Sequence, residues 1–375
     1  MGRGIMMRVI FSFIAASAAM LFPVCSLSAA GEQLEASGAY ELHEYLPEDT
    51  QDILTQSGIE LSEDGIGEVS PDSIFAVISQ LCAEHSGQPL AACVSALGVA
   101  MLCAVSKAVS EKSDGGPTGT LDTIGAAAVS AMICVPAAGF IDSAAARISA
   151  LCRFSSVLVP VLSGLAVVSG HSASAASYSA FTLTAIELIN ILVPSVIIPL
   201  LRILLAVAAV STLSPSLGLD KLTGAAEKNA KWLMGLTGVL MSGALGISSV
   251  AAAAADRTSV KAARFVISGA VPVVGGAISD ALGTITNCIS IVRTSAGAFG
   301  MIAALFILLP TVVSAVIWMM GLSCASWMCE ALGAARPAAV MRSVGAVVSL
   351  TLGLLVLSAV LTICSAALIM NLRSA

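Results

Sequence analysis

One apolar stretch sets the architecture of this chain: Pro89-Leu-Ala-Ala-Cys-Val-Ser-Ala-Leu-Gly-Val-Ala-Met-Leu-Cys-Ala-Val-Ser-Lys-Ala-Val109. A membrane-spanning helix needs about 20 predominantly apolar residues, which this stretch provides. Its alanines recur at every fourth position and therefore lie one above another on one helix face. We expect this face to pack closely on another helix, because small residues let helices approach. The face consists of Ala92, Ala96, Ala100, Ala104 and Ala108.

Charge is distributed unequally on the two sides of this span. Lys107 and Lys112 lie at its C-terminal end, whereas residues 31–88 contain thirteen Asp and Glu and no Lys or Arg. Lys and Arg are held back on the cytoplasmic side of a membrane. The sequence therefore predicts that residues 31–88 form an acidic, helical, extracytoplasmic segment and residues 89–375 a multi-pass membrane domain. Because an acidic segment repels nucleic acid, no nucleic-acid partner is expected.

The composition of the whole chain agrees with a membrane protein. It is 57% hydrophobic and 11% charged, whereas soluble proteins carry roughly a quarter charged residues. Several further apolar segments contain proline, which removes a backbone hydrogen bond and favours kinked or re-entrant helices. The predicted fold class is all-α, a polytopic integral membrane protein with about six to eight transmembrane or re-entrant helices. The further segments are 121–141, 148–169, 179–211, 232–255, 263–286, 295–322 and 343–370.

Two other basic clusters bear on the topology. One comprises Lys221, Lys228 and Lys231, and the other Arg336 and Arg342. If both clusters are cytoplasmic, one of the segments 121–141 and 148–169 does not cross the membrane fully, and segment 263–286 does not either. The side of the C-terminus stays open on this reasoning.

The first thirty residues have the layout of a signal peptide. Arg3 and Arg8 precede an apolar region from Val9 to Phe22, and Ser28-Ala29-Ala30 supplies the small residues that signal peptidase favours. Residues 1–30 are therefore predicted to be an export signal cleaved before Gly31. A lipoprotein signal at Cys25 and an uncleaved signal anchor are the alternatives.

A search for catalytic or metal-binding motifs gives no candidate. His43-Glu44 begins like the zinc motif H-E-x-x-H, but position 47 is proline. Neither a phosphate-binding loop nor a G-x-S-x-G nucleophile elbow is present. Six of the ten cysteines lie in apolar runs, where cysteine acts as a small hydrophobe. The sequence predicts a protein that is not an enzyme, with no cofactor and no metal.

Two polar residues inside an apolar segment form the first candidate site. Glu187 and Asn190 share a helix face within 179–211, upstream of Pro194. An ionisable group in a membrane usually faces a partner or water. One interpretation is a polar pathway or a contact between subunits, and the other is a Glu near the end of the span, solvated by lipid headgroups.

The densest group of polar residues lies between 256 and 280, where charges are followed by a proline, a glycine pair and a second acid. A helix break at Pro272 to Gly276 is tolerated at membrane depth only within protein or a water-filled cavity. The alternative is a basic turn at the membrane surface followed by a kinked span. The group consists of Asp256, Lys261, Arg264, Pro272, Gly275, Gly276, Ser279 and Asp280.

Residues 256–280, read as D-R-T-S-V-K-A-A-R-F-V-I-S-G-A-V-P-V-V-G-G-A-I-S-D, resemble the signature stretch of the stage III sporulation protein AE family. The segment around Leu46-Pro47 and the helix around Pro310 are similar to that family as well. The resemblance implies a channel complex in the mother-cell membrane surrounding the forespore, which is needed for late forespore gene expression and has parts similar to secretion systems. The implied partners are other stage III sporulation channel proteins and the lipid bilayer, in an oligomeric assembly.

Three functions follow as hypotheses. The first is a non-enzymatic membrane subunit of the sporulation transenvelope channel. The second is an autonomous transporter for a small solute, with Glu187 and the break at 272–276 as its site. The third is an intramembrane enzyme. Transport by the chain reconstituted alone favours the second, and co-purification with sporulation proteins favours the first.

Overall fold

The structure is a computed structural model. It shows a bundle of long helices. The structure describes residues 42, 44–56, 61–62, 65–66, 71–111, 118–168, 172–213, 228, 232, 235, 238 and 275–370. Two strands of two residues each, Leu61–Ser62 (β1) and Gly65–Ile66 (β2), pair in antiparallel orientation. The other regular elements that the structure describes are helical. The helices are Glu48–Gln56 (α1), Pro71–Glu111 (α2), Thr118–Val168 (α3), Ser172–Leu192 (α4), the π-helical turn Val193–Ile197, Ile198–Leu213 (α5), Gly275–Ala331 (α6) and Ala335–Met370 (α7).

The N-terminal helix α1 is attached to the bundle by apolar side chains. Leu42, Leu46 and Leu54 are buried, and α1 contacts both α2 and α6. The first turn of α1 is fixed locally, since Thr50 donates its backbone N–H to the carbonyl of Pro47 at 2.8 Å. The part of the acidic segment that the structure describes is therefore packed on the bundle.

Helix α2 begins at Pro71, inside the predicted acidic segment, and does not end with that segment. It passes through Pro89 and reaches Glu111. The segment and the first span are thus joined by one helix of 41 residues. Proline at 89 does not stop the helix, because packing of the alanine face that follows holds the continuation in place.

Helix α3 corrects the prediction of two separate segments, 121–141 and 148–169. It is one helix of 51 residues that contains Pro136 and Pro160. The charged residues between the two segments are accommodated on this helix, because Asp142 and Arg147 each pair with a residue distant in sequence.

The predicted proline disruption of segment 179–211 takes the form of a π-helical turn. Pro194 lies in this turn, and the backbone N–H of Ile198 bonds the carbonyl of Val193, five residues earlier. Such a turn absorbs one extra residue without ending the helix, so α4 and α5 continue one another. Pro310, in contrast, lies within α6 without a change of helix type.

Helices α6 and α7 form the antiparallel centre of the bundle. Gly333 has a φ of +76° in the turn between them. Its N–H bonds the Glu330 carbonyl, and the N–H of Ala334 bonds the Cys329 carbonyl. These two bonds are those of a Schellman motif, which ends α6 and reverses the chain. The largest fully buried side chains include Trp318 and Phe299 of α6 and Phe154 of α3.

A second antiparallel hairpin, α2 with α3, packs beside the first. Gly125 of α3 faces the side chain of Cys103 of α2, and Gly321 of α6 faces that of Cys93. Farther along, Gly300 of α6 faces Leu158 of α3. Helix α3 therefore runs antiparallel to α6, and the turn of one hairpin lies at the same end as the turn of the other.

Five helices of the described part are long and apolar enough to cross a membrane. The predicted total of six to eight spans stays a prediction, since the candidate segment 232–255 and the start of 263–286 fall largely outside the described residues. The five are Ala76–Ser106, Thr123–Val168, Ala175–Val210, Ala296–Ala331 and Ala335–Ala367.

A charged belt as candidate functional site

The end of the bundle where both hairpins turn carries basic side chains. Arg336, at the start of α7, donates a hydrogen bond to the hydroxyl of Thr123, near the start of α3. Arg342 pairs with Glu330 at 2.5 Å. Helix α2 ends at Glu111 and α3 begins at Thr118 at this same end of the bundle, which we call the basic end. The end of the helix that Lys112 follows in the sequence and the cluster Arg336 with Arg342 therefore lie at one end of the bundle.

A second layer of charge lies near the middle of α3. Arg147 pairs with Asp49 of α1, and Asp142 pairs with Arg202 of α5 at 2.5 Å. We call these two ion pairs the charged belt. The partners are 98 and 60 residues apart in sequence. They connect the N-terminal segment and α5 to one helix.

The Arg147 partner changes the acidity of Asp49. The hydrogen bond from the guanidinium is the largest effect and holds the pKa of this carboxyl below its ordinary value of 3.8, although partial burial opposes it. The side chain of Asp49 remains 48% exposed, so solvent screens the pair and its contribution to stability is small.

The section between the basic end and the belt has the dimensions of a bilayer. Thr123 and Asp142 are separated by roughly 28 Å along α3 at 1.5 Å per residue, and the hydrocarbon core of a bilayer is about 30 Å thick. We call this the proximal section. Its outer surface is apolar, as a lipid-facing surface is, with Val94, Leu102, Val105, Ile124, Met132, Val135, Ile203 and Trp327 exposed.

Beyond the charged belt, the bundle continues for a length comparable to that of the proximal section. This distal section contains residues 153–168 of α3, all of α4, and the parts of α6 and α7 that pack beside them. Gly297 of α6 faces Met370 at the end of α7, which marks the far end. Long helices that pass the belt thus give the bundle about twice the length that one bilayer requires.

The predicted polar residues Glu187 and Asn190 lie in the distal section. Glu187 is exposed and Asn190 is half-buried. Glu187 lies on α4, which packs against α3. Beside them, the π-helical turn and α7 enclose a cavity of about 20 Å³, lined by apolar side chains and Ser358. This volume holds about one water molecule and no solute.

The alanine face of α2 lies against the bundle as far as the structure describes it. Ala92, Ala96 and Ala100 are buried, and Ala104 is half-buried against the core. The side chain of Ala108 lies outside the described part. Helix α2 contacts α3 and α6, so the described alanines pack within their own chain.

The signature stretch 256–280 is described only in part. Asp256, Lys261, Arg264 and Pro272 lie outside the described residues. Helix α6 begins at Gly275, so Gly276, Ser279 and Asp280 fall in its first two turns, and their side chains are outside the description. The predicted helix break and its charge partners therefore stay predictions.

Within the part of the chain that the structure describes, no group of three His, Cys, Asp or Glu could hold a metal ion. The cysteines described there are free, among them the exposed Cys82. What local sequence reasoning missed is the charged belt. The only local signal was the presence of Asp142 and Arg147 between the apolar segments 121–141 and 148–169.

These features define a polytopic helical membrane protein whose long helices extend beyond one bilayer thickness. Comparison with known proteins narrows the class: the model of the family Stage III sporulation protein AE (spore_III_AE) matches residues 55–372. The chain belongs to that family. The expectation from the stretch 256–280 is thereby confirmed.

One curated relative supports the same conclusion. The chain is 22% identical over 160 residues to the Stage III sporulation protein AE of Bacillus subtilis (strain 168). The aligned part covers 43% of this chain and 40% of the relative's length. No solved structure matches the chain.

Proposed function

We propose that this chain is a non-enzymatic membrane subunit of the sporulation transenvelope channel between the mother cell and the forespore. The observation that carries the proposal is the family match over residues 55–372. The bundle with five candidate spans fits a membrane subunit. In this proposal the chain lies in the mother-cell membrane surrounding the forespore and supports late forespore gene expression together with other stage III sporulation proteins.

The proposed topology places residues 31–88 outside the cytoplasm and the basic end inside. The position of Arg336 and Arg342 at the end of the bundle where α2 ends supports it, because basic residues are enriched on the cytoplasmic side. The proximal section then occupies the bilayer, and the charged belt lies at its outer face. The distal section projects toward the space between the two membranes.

Deletion of the gene in its sporulating host tests the role. The proposal predicts engulfed forespores in which a late forespore reporter is silent, and co-purification of the tagged chain with other stage III sporulation proteins. Normal late reporter expression in the deletion strain contradicts the proposal.

The stretch from Asp256 to Asp280 is proposed as the part that joins the assembly. Gly276→Leu is expected to stop sporulation while the protein remains in the membrane, because the added bulk fills a close contact. Gly139→Leu is the matched control, since nothing lies within 4 Å of a Cβ added at Gly139. Spore yield with parallel membrane immunoblots provides the readout, and a normal yield from Gly276→Leu refutes the assignment.

An autonomous solute transporter is the second candidate, and the π-helical turn beside Glu187 and Asn190 favours it, since helix discontinuities form sites in transporters. The 20 Å³ cavity beside that turn is too small for a solute. Transport by proteoliposomes that contain this chain alone would establish the transporter. Its absence there, with co-purification in cells, is the result expected for a subunit.

A further inference from the structure

Two charged side chains of the distal section differ from the others on the long helices. Arg153 of α3 and Glu187 of α4 are exposed, and neither side chain forms a hydrogen bond or an ion pair with any residue that the structure describes. By contrast, Asp142, Arg147, Arg202 and Arg342 all lie in ion pairs. Among the side chains that the structure describes on α3, α4 and α5, Arg153 and Glu187 are thus the two charges without such a partner.

The two charges lie at the same level along the bundle. Helices α3 and α4 are consecutive and pack against each other, and Arg153 precedes the end of α3 at Val168 by as many residues as Glu187 follows the start of α4 at Ser172. Cys152 immediately precedes Arg153 in α3. One residue turns a helix by 100°. Cys152 is therefore directed into the bundle, where it is buried, while Arg153 is directed away from it. This difference in direction explains why Arg153 and Glu187 do not pair within one copy, although they lie at the same level along the bundle.

Each charge lies in an exposed stripe, and the two stripes differ in shape. Between Arg153 and Gly164 the other exposed residues of α3 are small or short: Ser156, Pro160 and Gly164. Around Glu187 the exposed residues of α4 are large and apolar: Leu183, Leu188 and Ile191. Large side chains on one surface and small residues on the other allow close packing between helices.

A protein partner is favoured whether water or lipid surrounds the distal section. In water, the large apolar side chains of α4 would form an exposed patch of the kind that marks interaction sites. In lipid, Arg153 and Glu187 would be unpaired ions, which are expensive in a membrane. A partner with an apolar surface and one charge of each sign at this height would cover the apolar patch in water. It would also pair both ions in lipid.

We propose that this surface binds a second copy of the chain, with Arg153 of each copy paired to Glu187 of the other. Copies inserted in one membrane have the same orientation. Arg153 of one copy therefore lies at the same height along the membrane normal as Glu187 of the other copy. A two-fold axis along the bundle then forms both pairs at once, as a self-complementary interface requires. The inference needs only uniform membrane insertion and does not rest on the sporulation role.

Charge reversal in differently tagged full-length copies tests the interface. Arg153→Glu copies and Glu187→Arg copies are each expected to lose self-association about tenfold, because both pairs become like-charged. Co-expression of the two variants places opposite charges at both contacts again. Co-purification of one tag with the other from detergent-solubilised membranes should return to the wild-type amount.

The intra-chain pair of the belt supplies the control. Asp142→Arg with Arg202→Asp, on separate copies, should gain nothing from mixing, because this pair forms within one chain. Membrane immunoblots establish that every variant accumulates. Arg153→Gln and Glu187→Gln, which add no like charge, give a second measurement in which mixing restores one pair of two and hence part of the association.

Unchanged self-association of the single variants would overturn the proposal. So would a mixture that associates no better than either variant alone, which is the result expected if Arg153 or Glu187 pairs with residues 214–274 of its own chain.

Discussion

The two long hairpins of the bundle have similar lengths and hydropathy but different surroundings. In the most apolar windows of α6 and α7, 56% and 50% of the residues are buried, against 28% in α2 and 44% in α3. The sequence has no charged residue between Arg293 and Glu330, nor between Arg342 and Arg373, whereas α3 carries Asp142, Arg147 and Arg153 in its middle.

This difference shows how a long helix can pass beyond a bilayer. Helices α6 and α7 are the more buried pair and carry no charged residue along their apolar stretches. Helix α3, which packs against α2, α4, α5, α6 and α7, carries charge where the proximal section ends. That charge is tolerated because Asp49 and Arg202 provide partners.

The largest effect is expected in the core of α6. Trp318 is 1% exposed and Trp327 of the same helix is 60% exposed. Trp318→Ala should lower the free energy of unfolding by about 3–5 kcal/mol, the usual penalty for removing a buried aromatic side chain. Trp327→Ala should change it little. Thermal stability of the purified protein in detergent measures both, and equal losses would contradict the assignment of α6 to the core.

A smaller effect is expected on the alanine face of α2. Ala100 is fully buried, whereas Ala91 is exposed on the same helix. Ala100→Leu should destabilise the bundle by about 1–3 kcal/mol, because overpacking separates α2 from α3 and α6. Ala91→Leu introduces the same side chain without a neighbour and should be nearly neutral. If the two variants melt at the same temperature, the face does not hold the hairpins together.

The smallest effect concerns pH and the belt. Because Arg147 lowers the pKa of Asp49, the folded state prefers the ionised carboxylate, and its contribution is complete above about pH 4. The contribution is lost as the pH falls through the lowered pKa. Detachment of α1, followed by limited proteolysis with an acid protease, should therefore increase below pH 4, by less than about 1 kcal/mol in free energy. Asp49→Asn should remove this pH dependence, and an unchanged profile would show that other carboxyls cause it.

Much of the architecture follows from local sequence, and the exceptions share one cause. The apolar stretch after Pro89 and the helix start at Pro71 are visible in the residues themselves. The continuity of α3 is not, since Asp142 and Arg147 suggest a loop until their partners 60 and 98 residues away are known. The ion pairs that form the belt are contacts between distant segments, which no local pattern encodes.

The orientation of the bundle is tested most directly by chemical labelling of Cys82, an exposed free cysteine on α2, N-terminal to the span that begins at Pro89. In protoplasts expressing a variant in which Cys82 is the only cysteine, a membrane-impermeant thiol reagent should label the chain, and Cys82→Ala in that variant should remove the label. Lys112→Cys introduced into the resulting cysteine-free chain should react only after the membrane is permeabilised. Labelling of Cys82 only after permeabilisation, or of Lys112→Cys in intact protoplasts, would contradict an extracytoplasmic acidic segment and a cytoplasmic basic end.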